Sequence, residues 1–297
     1  MLLDNIRLFL LIVEKGSLTA AGREAGLSPA TVSERLAALE AHYGTVLLSR
    51  TTRSTSLTEE GRTLVEGARR VLDEVDELGA RIRHGAGRLS GPIRVSAPVD
   101  VGRNIVVPAI DRFIAENPAI SVEIVFSDGN LDIVGQGIDL AVRFGNITDS
   151  TLRIRRLRLQ RRVVCAAPSY LARRGTPRTP AELKEHNCLL MRFGMNLDNV
   201  WQLGEGRAVQ SVTVQGDRVA NDGAVVRQWA LAGHGIVFKS DLDVGPDIAK
   251  GRLVELLEDY AQPPTPIQLL LAPGRAQPRR VKALADSLSA AFDAFGD

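Results

Sequence analysis

The stretch GLSPATVSERLAALEAHYG, residues 26–44, restricts the fold of this chain more than any other. Ser28 stands where a helix takes its N-cap, and Pro29 occupies the first helical position, where a missing backbone N–H leaves nothing unsatisfied. Val32, Leu36, Leu39 and Tyr43 recur at spacings of four, three and four and give the helix an inward face. On the opposite side lie Ala30, Glu34 and Ala37, flanked by Thr31 and Ser33. Upstream, Ile6, Phe9, Leu10 and Val13 mark a first amphipathic helix that Gly16 ends. Ser17 then caps a short second helix bearing Leu18, Ala21 and Ala25, and Gly26 stops it. Two helices joined by the tight AGLS turn, the second with short side chains on its outer face, describe a helix-turn-helix. Such a helix can enter a DNA major groove, where the Thr31 and Ser33 hydroxyls bond base edges or phosphates and the helix N-terminus adds partial positive charge. Alanine-rich helix pairs also pack in ordinary cores, so the segments that follow must decide.

Residues 46–57, VLLSRTTRSTSL, hold two short β-prone runs around a polar hairpin with Arg50 and Arg53. A two-stranded wing in that place suits contact with the DNA backbone. Thr58 caps a long helix with Glu59 and Glu60 in its first turn, matching the helix dipole. Leu64, Ala68, Val71, Val75, Leu78 and Ile82 follow at alternating spacings of four and three. So narrow a heptad seam among charged neighbours suits pairing with a copy of itself better than lying on its own domain. HGAGRLSGP (84–92) reads as a linker. These signals divide the chain into a winged helix-turn-helix (1–58), a linker and dimerisation helix (59–84), a flexible connection (85–91) and a final domain (92–297).

The final domain alternates strands with helices. IRVSAP, SVEIVF and IDLAVRFG read as strands, separated by a helix through Ile110 and Phe113 and a short one near 131–136. Further strands are expected at RRVVCAA, SVTVQG, GIVFKS and IQLLLAP, with helices after Asn221, over DVGPDIAKG and from 278 to 295. This rhythm implies an open parallel sheet with helices on both faces, in which ligands settle at strand carboxyl ends. The candidate loops are 96–102, 127–130, 143–146 and Asn221 with Asp222.

Chemistry of other kinds finds little support. The net charge of +2 gives no polyanion signal for the whole chain, so the DNA argument is local, and 4% aromatic residues weigh against a stacking platform for single strands. Cys165 and Cys188 each sit in an apolar run and read as buried inert thiols rather than a redox pair, in a reducing compartment. His42, His84, His186 and His234 lack metal-ligand spacing, and no GxSxG, GxxxxGK[ST], HExxH or GxGxxG motif occurs. No catalytic constellation, metal or cofactor is therefore expected, and Asp139 in GIDLAVRFG reads as a strand-start residue satisfying turn amides. Asp4, Arg7 and Glu14 break up the apolar opening MLLDNIRLFLLIVEKG, which reads as a helix and not an export signal. No run approaches the roughly 18 apolar residues that span a bilayer, so the expectation is a cytoplasmic protein with no membrane partner.

GSLTAAGREAGLSPATVSERLAALEAHYGTVLLSRTTRSTSLTEEG closely resembles the N-terminal module of LysR-type transcriptional regulators. The alanine pair, the Gly-Leu-Ser turn, the wing arginines and the Leu-Thr-x-x-Gly at the start of the linker helix all match. QGIDLAVRFG and AGHGIVFKSDLDVGPDIAKGRLVELL resemble the family's effector-binding domain, the latter in a CrgA-like subgroup marked by lysine and serine after the Gly-Ile strand. The resemblance implies an α/β protein: a winged helix-turn-helix and linker helix, then a two-lobed domain like periplasmic binding proteins. It also implies a homodimer or homotetramer that binds double-stranded operator DNA and answers to a small-molecule effector, with RNA polymerase a candidate further partner.

By position, Ser28, Pro29, Ala30, Thr31 and Ser33 fall at the family's base-reading helix end, and Arg35, Arg50 and Arg53 at its phosphate clamps. Pro29 stands where many members carry glutamine and Glu34 where many carry arginine, so the operator sequence does not carry over. Ser96, Pro98, Asp128, Arg143, Asn221 and Phe238 fall where relatives face the effector cleft. Arg143 offers a fork suited to a carboxylate, which makes an organic acid the expected effector unless Arg143 pairs with an acidic neighbour. The rivals are a solute-binding protein, opposed by the N-terminal module, and a hydrolase, opposed by the absent nucleophile.

Overall fold

The computed structural model describes residues 1–50, 55–84, 88–129, 133, 136–145, 147, 152–271 and 277–295. Three helices open the chain: α1 (Leu2–Lys15), α2 (Leu18–Ala25) and α3 (Pro29–Tyr43). The Ser17 and Ser28 hydroxyls accept from Ala20 and Thr31 N–H and cap the second and third. Gly22 sets how closely they pack, since an added Cβ would lie 2.9 Å from Val32 Cγ2 and 3.0 Å from Leu27 O. Ile6, Phe9, Ile12, Ala21, Val32, Leu36 and Leu39 form the core of this head. Tyr43 departs from its expected inward place: it is 44% exposed and lies along the groove between α1 and the linker helix.

Strands β1 (Leu48–Arg50) and β2 (Thr55–Leu57) pair antiparallel, and α4 (Glu59–His84) follows. Thr58 Oγ1 accepts from Gly61 N–H at 3.0 Å and donates to Val46 O at 2.8 Å, tying the start of α4 to the chain before the wing. A Cβ at Gly61 would collide with Leu47 O, so the Leu-Thr-x-x-Gly pattern answers to close backbone approach. Val65, Ala68 and Leu72 of α4 complete the head's core.

The first lobe is built from β3 (Gly91–Ala97), α5 (Val99–Val101), a π-turn (Gly102–Val106), α6 (Val107–Glu116), β4 (Ile120–Phe126), β5 (Leu140–Phe144) and β6 (Arg153–Gln160). The chain then crosses into the second lobe. There follow β7 (Arg162–Ala166), α7 (Pro168–Arg174), β8 (Leu190–Phe193), β9 (Asn196–Asp198), β10 (Val200–Leu203), β11 (Gln210–Thr213) and β12 (Val219–Ala220). Helix α8 (Gly223–Leu231), β13 (Ile236–Ser240), α9 (Asp241–Ala249) and β14 (Val254–Leu256) complete that lobe. The chain returns as β15 (Thr265–Leu271) and ends in α10 (Arg279–Asp293).

The first lobe's sheet has the order β4-β3-β5-β15-β6. It is mixed rather than parallel as the strand–helix rhythm suggested: β3 runs with β4 and β5, whereas β15 runs against β5 and β6. The cause is the excursion itself, because a strand returning from the second lobe enters this sheet in the opposite direction. Helices α6 and α10 cover the sheet, their Phe113 and Phe292 packing in one core with Ile93, Val95, Val142 and Leu269 of the strands. Each lobe has its own core, the second lobe's including Val164, Trp201 and Phe238. Of the expected helix near 131–136, only Ile133 and Gln136 belong to the described residues, and both lie in turns.

Candidate DNA-binding face and interlobe cleft

At the N-terminal end of α3, Ser28, Pro29 and Ala30 are exposed, and Thr31, Ser33 and Arg35 are half-buried. The slim ridge expected from the sequence is therefore on the surface. Thr31 Oγ1 lies 2.9 Å from Ser28 Oγ, so one of these hydroxyls is already partly engaged within the turn. Arg35 leans toward α1, where it adds to the pull of the Met1 amine in holding the Asp4 carboxyl below its usual range. Arg50 is described for its backbone alone, and Arg53 lies outside the described residues.

The six seam positions of α4 do not share one environment. Ala68 is 2% exposed in the head's core and Leu64 is half-buried, whereas Val71, Val75, Leu78 and Ile82 are exposed. Val71 lines an apolar groove with Leu2, Leu3 and Tyr43, beside α1.

Between the lobes lies a cavity of about 410 Å³. Pro98, Asp128, Arg143 and Phe144 line it from the first lobe, Met191, Phe193, Phe238 and Lys239 from the second, and Gln160 and Thr265 from the two crossings. Arg143 Nη2 donates to Ser96 Oγ at 2.8 Å, and Nη1 donates to the carbonyl of Val142 at 2.7 Å. Ser96 is fully buried, so it orients the guanidinium from behind and is not part of the cavity wall.

Among the described residues Arg143 has no carboxylate within ion-pair distance, so the internal pairing weighed from sequence is not seen. Burial pushes its pKa down, with Asp128 pulling it back up. Burial likewise raises the Asp128 carboxyl, although its Oδ1 accepts from the Val99 N–H at 3.1 Å. Phe238 is buried, with the Arg162 guanidinium stacked 3.9 Å from its ring centre, and Arg162 donates to Asp198 at 2.6 Å. Asn221 does not join this group: it lines a separate recess with Arg103, Arg192 and Asp222, beyond the 127–129 loop.

Sequence reading passed over the charged floor of the cleft. Lys239, 4% exposed, pairs with Asp100 of the first lobe, lies 2.9 Å from Asp243 Oδ2 and donates to Gly223 O at 2.8 Å. A Cβ on Gly223 would collide with both Asp100 and Lys239. Asn104 donates to Asp243 at 3.1 Å, and Arg103 pairs with Asp222 at 3.2 Å. Asp100, Arg103 and Asn104 share one helical face, so a single segment links the first lobe to the second at three points. Burial raises the Asp100 carboxyl, with Lys239 opposing that shift. The lysine inside the apolar strand IVFKS was the available signal.

Comparison with known proteins places both halves. Residues 3–62 match the bacterial regulatory helix-turn-helix proteins of the lysR family, and residues 86–293 match the LysR substrate binding domain. The chain belongs to the LysR family of transcriptional regulators. This LysR-type regulator is 34% identical over 262 residues to the HTH-type transcriptional regulator DmlR of Escherichia coli (strain K12), covering 88% of this chain and 85% of the relative. It is 32% identical over 295 residues to the HTH-type transcriptional activator AaeR of the same strain, covering 99% and 95%. Among solved structures, full-length CrgA of Neisseria meningitidis is 30% identical with a TM-score of 0.64, covering 99% of both chains. The Vibrio cholerae virulence activator AphB is 28% identical with a TM-score of 0.62, covering 98% of this chain and 99% of AphB.

The family acts by binding DNA and small-molecule effectors as oligomers, and its members are regulators rather than enzymes. Among the described residues no helix is long and apolar enough to cross a membrane. Cys165 and Cys188 are free and buried, and burial pushes both thiols up to about 12.

Proposed function

We propose that this LysR-type regulator changes its hold on operator DNA when a small organic acid enters the interlobe cleft at Arg143. The observation that carries this reading is a half-buried guanidinium, fixed by Ser96 and facing a cavity, with no carboxylate partner among the described residues. A buried cation left so is stabilised by an anion that enters, and a planar fork suits a carboxylate. Pro98, Asp128 and Phe238 would shape the rest of the site, with Ser96 as the support of Arg143; Asn221 would act at the adjoining recess. Because the cavity takes walls from both lobes, a ligand there binds two lobe arrangements unequally, which is what moves an equilibrium.

In the same reading Ser28, Pro29, Ala30, Thr31 and Ser33 meet base edges, and Arg35, Arg50 and Arg53 hold phosphates. Val71, Val75, Leu78 and Ile82, continuing the seam begun by Leu64 and Ala68, pair two subunits through α4. The working division is a head (1–58), a linker helix (59–84), a connection (85–91) and a sensor (92–297). Dimers would join as tetramers, act in the cytoplasm and meet RNA polymerase at the promoter. The test is Arg143→Ala in the full chain, with operator affinity measured by anisotropy against a panel of small carboxylates. Affinity without added acid should stay within about twofold and the response to acid should vanish; a surviving response refutes the reading.

A further inference from the structure

Gln160 is the last residue of β6, at the first crossing between the lobes, and is 5% exposed. Its Nε2 donates to Thr265 Oγ1 at 2.7 Å, at the return crossing, and the two residues are partners in the β6–β15 register. Both line the cavity. Gln160 Oε1, by contrast, is buried and has no hydrogen-bond partner among the described residues. Buried amide oxygens are almost always paired, because leaving one without a donor forfeits the hydration it had when unfolded. An acceptor of this kind on a ligand-cavity wall is what discriminates for a hydroxyl.

We propose that the effector is a hydroxy acid, its carboxylate on Arg143 and its hydroxyl donating to Gln160 Oε1. This rests on the placing of the effector proposed above and adds its chemical class. Three cations (Arg143, Arg162, Lys239) and two carboxylates (Asp100, Asp128) line the cavity. Lys239 is spent on Asp100 and Asp243, and Arg162 on Asp198, so Arg143 is the cation with capacity for a ligand anion. Arg162 also lines the cavity, two residues along the chain from Gln160, and its positive charge favours a neutral hydroxyl there over an ammonium. Phe144, Ile147, Met191 and Phe193 offer apolar contact to a small carbon body between the two polar groups. Held in this way, the ligand ties β5 to the end of β6, the point at which the chain leaves the first lobe.

Isothermal titration of the full chain tests this with benzoate against 3- and 4-hydroxybenzoate, butyrate against 3- and 4-hydroxybutyrate, and 4-hydroxybenzyl alcohol as the member lacking a carboxylate. At least one hydroxy acid should bind about tenfold or more tightly than its parent acid. Gln160→Leu should bring that pair within about twofold by weakening the hydroxy acid alone, while Arg143→Met weakens both. Thr265 Oγ1 lies 3.5 Å from Gln160 O and keeps that partner in the leucine variant. Should Gln160→Leu fail to fold, the comparison in the unaltered chain decides. Parent acids binding as tightly as hydroxy acids, or a preference that survives Gln160→Leu, overturns the inference and leaves the role of Arg143 standing. If no carboxylate outbinds the neutral alcohol, the anion reading falls, and this inference with it.

Discussion

Replacing Lys239 with methionine keeps the stem of the side chain and removes one positive charge from the floor of the cleft. Lys239 is the cation against Asp100, lies 2.9 Å from Asp243 and shares neither with bulk water, being 4% exposed. Arg227 lies 3.8 Å from Asp243 but is engaged at 2.5 Å by Asp247, so it does not replace the lost charge. The buried Asp243 and the half-buried Asp100 would then face each other across the lobe boundary without their shared cation. Removing one partner from a buried ion pair costs about 3 to 5 kcal/mol, more than the intact pair contributes, because the survivor stays desolvated. At about 2 kcal/mol per molar urea, the unfolding midpoint should fall by roughly 1.5 to 2.5 M. Tryptophan fluorescence is the assay, since both tryptophans, Trp201 and Trp229, belong to the second lobe and are blind to the head. Adding Asp100→Asn should recover part of the loss, because the stranded charge leaves with its partner. A midpoint within about 0.5 M of the unaltered chain, or strictly additive single changes, would refute the argument.

Asp128→Asn reports on pH. Burial raises the Asp128 carboxyl in the folded chain, so the native state holds the proton more tightly than the unfolded one, and stability falls as pH rises through the raised value. Asparagine keeps an oxygen for the Val99 N–H and has no charge to bury, so Tm should exceed that of the unaltered chain at pH 7 and converge with it near pH 4 or below. Equal Tm values at both pH values would contradict this. Ala30→Asp places a carboxylate on the exposed end of α3. Stability should change by about 0.5 kcal/mol or less while operator affinity falls more than about tenfold, and retained affinity would remove Ala30 from the DNA contact. Val75→Arg with Leu78→Arg adds like charges to the exposed seam of α4 and should give monomers in analytical ultracentrifugation. Persistent dimers would move the interface elsewhere.

The head was readable because its signals are local. Ser28, Pro29 and Gly26 act on their own neighbours, and Gly22 and Gly61 mark close backbone approaches within a few tens of residues. Tyr43 was misplaced by spacing alone, since periodicity names a face but not what covers its last turn. In the sensor, strand positions such as GIVFKS and IQLLLAP were legible, whereas β6 was hidden by its arginines: RIRRLRLQ shows no clean alternation on an edge strand. The mixed sheet was beyond reach because strand direction depends on the return from a second lobe. The cleft was half legible. Arg143, Asp128, Pro98 and Phe238 meet at one cavity, but Ser96 supports it from behind and Asn221 opens on another recess. Lys239 and Gln160 were missed because their meaning lies in Asp100 and Thr265, 139 and 105 positions away.

The most direct measurement is fluorescence anisotropy of the full chain on labelled DNA from immediately upstream of its own gene, beside scrambled DNA of equal length, at salt from about 50 to 200 mM. A helix-turn-helix with arginine clamps should prefer the native fragment and lose affinity along a straight, steep line of log Kd against log salt. Equal affinity for both fragments, or binding indifferent to salt, would contradict operator recognition by α3 and its wing.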